Sequence, residues 1–164
     1  MSTTTLFQIT FCLAAPFWAL MILAPGWWVT RRIIASPWIV LPPLVVYTVF
    51  AVGDFGTLWS VVSRPDLETL RAFLGTPEGT AAIWAHLIAF DLFIGRWMYS
   101  DARERGVPHA VLAPILVLTI LLSPFGLLTY LAVRAVAARR ATIGSWHVSS
   151  PSTGPGEPAP HSGG

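Results

Sequence analysis

Apolar residues are gathered into four blocks, each long enough to cross about 30 Å of hydrocarbon as a helix. The first covers residues 6–23 (LFQITFCLAAPFWALMIL) and the second residues 34–53, centred on PWIVLPPLVVYTVFAVG. The third covers residues 79–100 (GTAAIWAHLIAFDLFIGRWMYS), and the fourth residues 110–133, followed by Arg134, Arg139 and Arg140. Between the second and third blocks the pattern changes. Leu67, Leu70 and Leu74 recur at helical spacing among charged residues, with Ser63 as a capping residue before them and Gly75 as a stop. That stretch, residues 64–74, is too short and too polar to span and reads as an interfacial helix. Thr76-Pro77-Glu78 then gives the third block a well-marked start, with a cap, a proline in the first turn and an acid favourable to the helix dipole. The pattern predicts an all-α, polytopic membrane protein with four transmembrane helices over residues 1–141. Residues 142–164 are rich in Gly, Pro and Ser without apolar periodicity and read as a disordered tail.

Composition agrees with the pattern. The chain is 54% hydrophobic, 11% charged and has a mean hydropathy of +0.65, whereas soluble domains carry about 25% charged residues. All ten basic residues are arginine and they are scattered, so no basic face for nucleic acid is present. The single cysteine, Cys12, excludes intrachain disulfides and multi-cysteine metal sites. No arginine precedes the first block and no small-residue cleavage site follows it, so it reads as a retained helix rather than a signal peptide. The lysine-free, Ala-, Gly- and Pro-rich composition suggests a bacterial protein of the inner membrane. Trp27, Trp28, Trp38, Trp59, Trp97 and Tyr99 fall near the ends of the blocks, where an aromatic belt belongs. With four crossings, both termini share a side with Arg64, Arg71, Arg134, Arg139 and Arg140, against Arg31, Arg32, Arg103 and Arg105 opposite. The split is nearly even and leans to cytoplasmic termini.

Proline lies inside three blocks, at Pro16, Pro42–Pro43, and Pro114 with Pro124, and is expected to kink those helices. The third block has none, yet it carries His86, Asp91 and Arg96. A carboxylate near mid-membrane costs about 2.5–3.5 kcal/mol on insertion scales and marks a functional site by default. Asp91 lies about 7.5 Å along the helix from both His86 and Arg96, each about 140° away around it. Arg96 can snorkel to the interface and Asp91 cannot. Two readings follow. Asp91 and His86 form a polar pair that acts on something, or Asp91 clasps a hydroxyl on another helix, with Tyr47, Thr48, Ser123 and Tyr130 as candidates. One Asp and one His make an incomplete metal shell, haem ligation lacks a second histidine at matching depth, and no nucleotide-binding or serine-hydrolase motif is present, so no cofactor is predicted.

Several strings carry a family resemblance: AAPFWALMILAP and VTRRIIAS, then WAHLIAFDLFIGRWMYSD, then LLSPFGLLTYLAVRA. In this order, between Ala14 and Ala135, the chain resembles the abscisic-acid-deficient-four-like membrane proteins, related to the plant factor required for neoxanthin synthesis. The resemblance implies a membrane protein linked to xanthophyll metabolism that binds or isomerises a carotenoid or related isoprenoid. Conversion of the epoxide violaxanthin to the allene neoxanthin is an isomerisation. It needs an acid at the epoxide oxygen and a base at the polyene, roles that Asp91 and His86 would fill with Arg96 and Asp101 in support. The alternative is a non-catalytic membrane scaffold or partner subunit whose buried polar residues hold helices together. A small transporter ranks third, because no inverted repeat is present. Expected partners are membrane lipids, an isoprenoid substrate, and a second copy or a pathway enzyme.

Overall fold

The computed structural model describes residues 2–148, with side-chain surroundings given to residue 139. Every regular element among them is helical. The frame is a pair of long helices, α1 (Thr3–Leu23) and α6 (Pro77–Glu104), each long and apolar enough to cross a membrane. Ser2 caps α1 by accepting the Thr5 N–H at 3.2 Å, and Thr76 caps α6 by accepting the Gly79 N–H at 3.0 Å. Pro16 is accommodated inside α1 without breaking it.

The two helices run parallel. Thr3 donates to Glu78 at 3.0 Å where both begin, and Tyr99 donates to the Pro25 carbonyl at 2.7 Å where both end. Small residues on α6 permit the close packing: Gly79, Ala81, Ala82, Ala85, Ala89 and Ala102 are buried. Gly95 is the tightest point, since a Cβ there would collide with the indole of Trp18 on α1. Ile88, Leu92 and Met98 share that buried face, while four other large apolar residues of α6 point outward. Ile83, Leu87, Phe90 and Phe93 stand 41–53% exposed.

After α1 the chain turns at Pro25-Gly26 into α2 (Trp28–Ala35), then through a 3₁₀ turn at Pro37–Val40 into α3 (Leu41–Gly53). The second block, residues 34–53, was expected to kink at Pro42–Pro43, but the bend lies at its start and those prolines sit in the first turn of α3. α2 and the segment Pro37–Gly53 meet at 76°, because Ser36 leaves the helical region and Pro37 cannot continue α2. The segment after the bend packs antiparallel to α6, with Ser36 beside Arg96 and Tyr47 beside His86. Two short helices follow, α4 (Phe55–Ser63) and α5 (Leu67–Leu74). α5 matches the expected amphipathic helix, but its cap is Asp66, not Ser63. Asp66 accepts the Thr69 N–H at 3.0 Å, and that bond holds its carboxyl below the ordinary carboxylate value.

The fourth block departs most from expectation. Residues 110–133 do not make one crossing helix. α7 (His109–Leu121) stops at Leu122, whose backbone leaves the helical region (φ −146°, ψ 72°), and α8 (Ser123–Val148) doubles back along it. His109 approaches the Ile22 carbonyl at 2.9 Å at one end of the bundle, and Tyr130 and Arg134 return to Asp101 at that same end. The hairpin closes where Gly126 lies against Thr119, with no room for a Cβ between them. Pro124 has no N–H to donate, so it suits the first turn of α8 better than the middle of a continuous helix.

The fold-back also alters the placement of the termini. Thr3 and Arg134 lie at opposite ends of α6, whereas four crossings would have put them on one side. α8 runs to Val148, past the expected start of the tail at Thr142, and residues 149–164 lie outside the described residues.

Candidate functional site

The midpoint of α6 carries the first group of interest. Asp91 is half-buried, and its polar side-chain neighbour is Ser123, at the tip of the α7–α8 hairpin. The other expected partners are engaged elsewhere. Tyr47 meets the His86 ring edge-on at 5.4 Å, Thr48 donates to the Leu44 carbonyl at 2.8 Å, and Tyr130 donates to Asp101. His86 also stacks on Phe90 with ring centroids 4.5 Å apart. Asp91 thus faces the hairpin while His86 faces α3, as five residues of helix rotation dictate. The structure places them on one helix without joining them in a contact. An apolar groove of about 340 Å³, lined by Val40, Leu44, Ala89, Phe90 and Phe93, opens beside the His86–Phe90 stack.

The Arg96 guanidinium donates to the carbonyls of Ala35 at 2.6 Å and Ser36 at 3.2 Å. Those carbonyls end α2, so a cation there satisfies the groups left open at the bend. This binds the bend to α6.

Asp101 is the centre of a second constellation, larger than its supporting role in the sequence suggested. It is 9% exposed. One carboxylate oxygen, Oδ2, accepts from Tyr130 Oη at 2.7 Å, Arg105 Nε at 2.8 Å and Arg134 Nε at 3.1 Å. Trp97 completes the cluster, edge-on to Tyr130 at 5.4 Å and 5.7 Å beneath the Arg134 guanidinium. An open groove of about 750 Å³ adjoins it, walled by Val107, Val111, Val133 and Val136 with Arg105 at the rim. Tyr130 and Arg134 lie seven and eleven residues past Ser123 on α8. Only the fold-back brings them to Asp101, which explains why residue spacing did not reveal the cluster. The same packing covers Trp97 and Tyr99, two of the residues expected in an aromatic belt. Trp97 is half-buried and Tyr99 buried, while Trp27, Trp28, Trp38 and Trp59 remain exposed.

Near the α1 terminus, Arg103 joins Tyr99 at the Pro25 carbonyl, at 3.1 Å, and lies over the Tyr99 ring at 5.7 Å. Among the described residues, no group of three or more His, Cys, Asp or Glu is placed to hold a metal ion.

Both constellations fall largely within a stretch that known proteins share. The model of the family described as ABA DEFICIENT 4-like matches residues 5–130. The chain belongs to the ABA DEFICIENT 4-like family. Its matched stretch contains His86, Asp91, Arg96, Asp101, Ser123 and Tyr130, whereas Arg134 lies beyond it. A curated ABA DEFICIENT 4-like relative is the chloroplastic Protein ABA DEFICIENT 4 of Arabidopsis thaliana. It is 27% identical over 141 residues, which cover 81% of this chain and 62% of the relative. The chain therefore spans less than two thirds of that protein's length. No solved structure matches the chain significantly.

Proposed function

We propose that this is an integral membrane protein that binds a carotenoid or related isoprenoid at α6 and acts on it, with the Asp91 carboxyl as the polar contact. The observation that carries the reading is the division of α6 into two faces. One buries Gly79, Ala81, Ala82, Ala85, Ala89, Ile88 and Leu92 in the bundle, the other exposes Ile83, Leu87, Phe90 and Phe93, and one carboxylate lies at the midpoint beside the hairpin tip. Outward Ile83, Leu87, Phe90 and Phe93 suit acyl chains or a polyene and would be costly in water. Asp91 is half-buried with the Ser123 hydroxyl as its polar neighbour, a setting in which a carboxyl group marks a functional site. α1, α6 and the bent segment ending in α3 supply the crossings in this reading, with α7–α8 as a hairpin that enters and returns.

Family resemblance supplies the substrate class. In an epoxide-to-allene isomerisation, Asp91 gives a proton to the epoxide oxygen as its C–O bond breaks. A base takes a proton from the polyene, so no redox equivalent is required. His86 is the imidazole on the same helix for the second role, reached by an extended substrate lying along α6 rather than by direct contact with Asp91.

A second reading has its own support. Arg96 at the α2 carbonyls and Asp101 beneath Tyr130, Arg105 and Arg134 tie separate helices together, as a non-catalytic scaffold would require. The test is Asp91→Asn in a carotenoid-producing host, with membrane retention and melting measured beside the pigment profile. The proposal expects an altered profile with retention and melting kept. An unchanged profile with lost stability would favour the scaffold.

A further inference from the structure

The fold-back of α8 gathers charge that looks evenly divided along the sequence. Arg31 and Arg32 lie on α2, which leaves Pro25 at the level of Tyr99 and Arg103 and returns to α6 at Arg96. Arg103 and Arg105 close α6, and Arg134 reaches Asp101 from α8, with Arg139 farther along the same helix. Among the described residues, these arginines share one end of the bundle with only Asp101 and Glu104 as acids, and Asp101 is already paired with Arg105 and Arg134. Arg31, Arg32, Arg103 and Arg139 are exposed. The opposite end holds the α3–α6 connection. There Arg64 and Arg71 face Asp54, Asp66, Glu68 and Glu78, all exposed, so acids outnumber bases. Four crossings would have put Arg134 and Arg139 with Arg64 and Arg71 and cancelled this asymmetry.

We infer that the arginine-bearing end rests on the anionic leaflet of the side from which the protein is inserted, and that α4, α5 and the start of α1 face the far side. Arginines flanking apolar segments stay on the insertion side, and anionic headgroups there complement them. Exposed Trp27, Trp28 and Trp38 beside Arg31 and Arg32 suit headgroup depth at that leaflet. The Asp101 cluster and its 750 Å³ groove then open toward the insertion side. This orientation rests on the membrane reading proposed above, and the two can fail separately.

The test uses the full chain with Cys12→Ser, expressed in a bacterial host, and either Glu68→Cys or Glu104→Cys. Both positions are exposed, at opposite ends of the bundle. Cells stripped of their outer barrier are treated with a membrane-impermeant maleimide before or after permeabilisation. The inference expects Glu68→Cys to label at once and Glu104→Cys only after permeabilisation. The reverse pattern overturns the orientation. Labelling of both positions from the same side overturns α6 as a crossing helix, on which the orientation depends. Release of the protein by alkaline carbonate overturns the membrane reading itself. Arg31→Glu with Arg32→Glu should convert the labelling to a mixture of both patterns, and unchanged labelling would remove charge as its cause.

Discussion

Asp91 and Asp101 sit ten positions apart on one helix and have opposite environments. Asp101 has three donors on one oxygen, two of them cationic, and its neighbours Tyr130 and Trp97 pack around it. Asp91 has Ser123. A carboxylate with so many ties is a structural joint, and one beside a single hydroxyl suits the role proposed for Asp91. Replacing Tyr130 by Phe removes a hydrogen bond to a charged acceptor and should cost about 1.5–3 kcal/mol. A lowered melting temperature in detergent would show this. Asp101→Asn should cost at least as much, because Arg105 and Arg134 would lose their shared anion. Equal stability of both variants to the unaltered protein would remove the joint from the account. In the sequence Asp91 stood out through its depth in an apolar run. Asp101 lay at the edge of that run, and nothing local announced that Tyr130 would reach it.

At the scale of elements, legibility follows how much each helix is fixed by its own residues. α6 could be read almost to its ends, since Thr76, Pro77 and Glu78 define its start and its apolar length sets the rest. α1 was equally clear. The hairpin was not, because hydropathy averaged over a window does not register a one-residue break at Leu122. The local signs were present all the same. Ser123-Pro124 suits the beginning of a helix, and Gly126 three positions after Ser123 permits close approach to Thr119. Pro124 was legible as a disruption but not as a reversal. The bend at Ser36–Pro37 escaped for a similar reason, and Arg96 satisfies it from another helix. Gly126→Leu forces a side chain into the space of Thr119 and should cost about 1–3 kcal/mol as overpacking. It should also draw Ser123 away from Asp91, which spin-label distances between the hairpin tip and α6 would record as an increase. An unchanged distance would mean the hairpin is not held by that contact.

For the whole molecule, the all-helical class and the family were legible from apolar block lengths and a few strings, the richest of them on α6. The connectivity of the ends was not, since near-even charge counts conceal an asymmetry that appears only once α8 turns back. The resulting picture is a parallel pair α1–α6, an antiparallel α3 entered through a bend, and a hairpin whose tip meets the central carboxyl. In the proposed function, the substrate class rests on family resemblance and the site on geometry, and both are tested at Asp91. The most direct measurement is incubation of the purified protein, reconstituted in lipid discs, with an epoxy-carotenoid, followed by chromatographic separation of bound and converted pigment. Retained or isomerised pigment with the unaltered protein, and its loss in an Asp91→Asn variant of equal melting temperature, is the predicted result. Pigment bound and converted equally well by that variant would contradict the account.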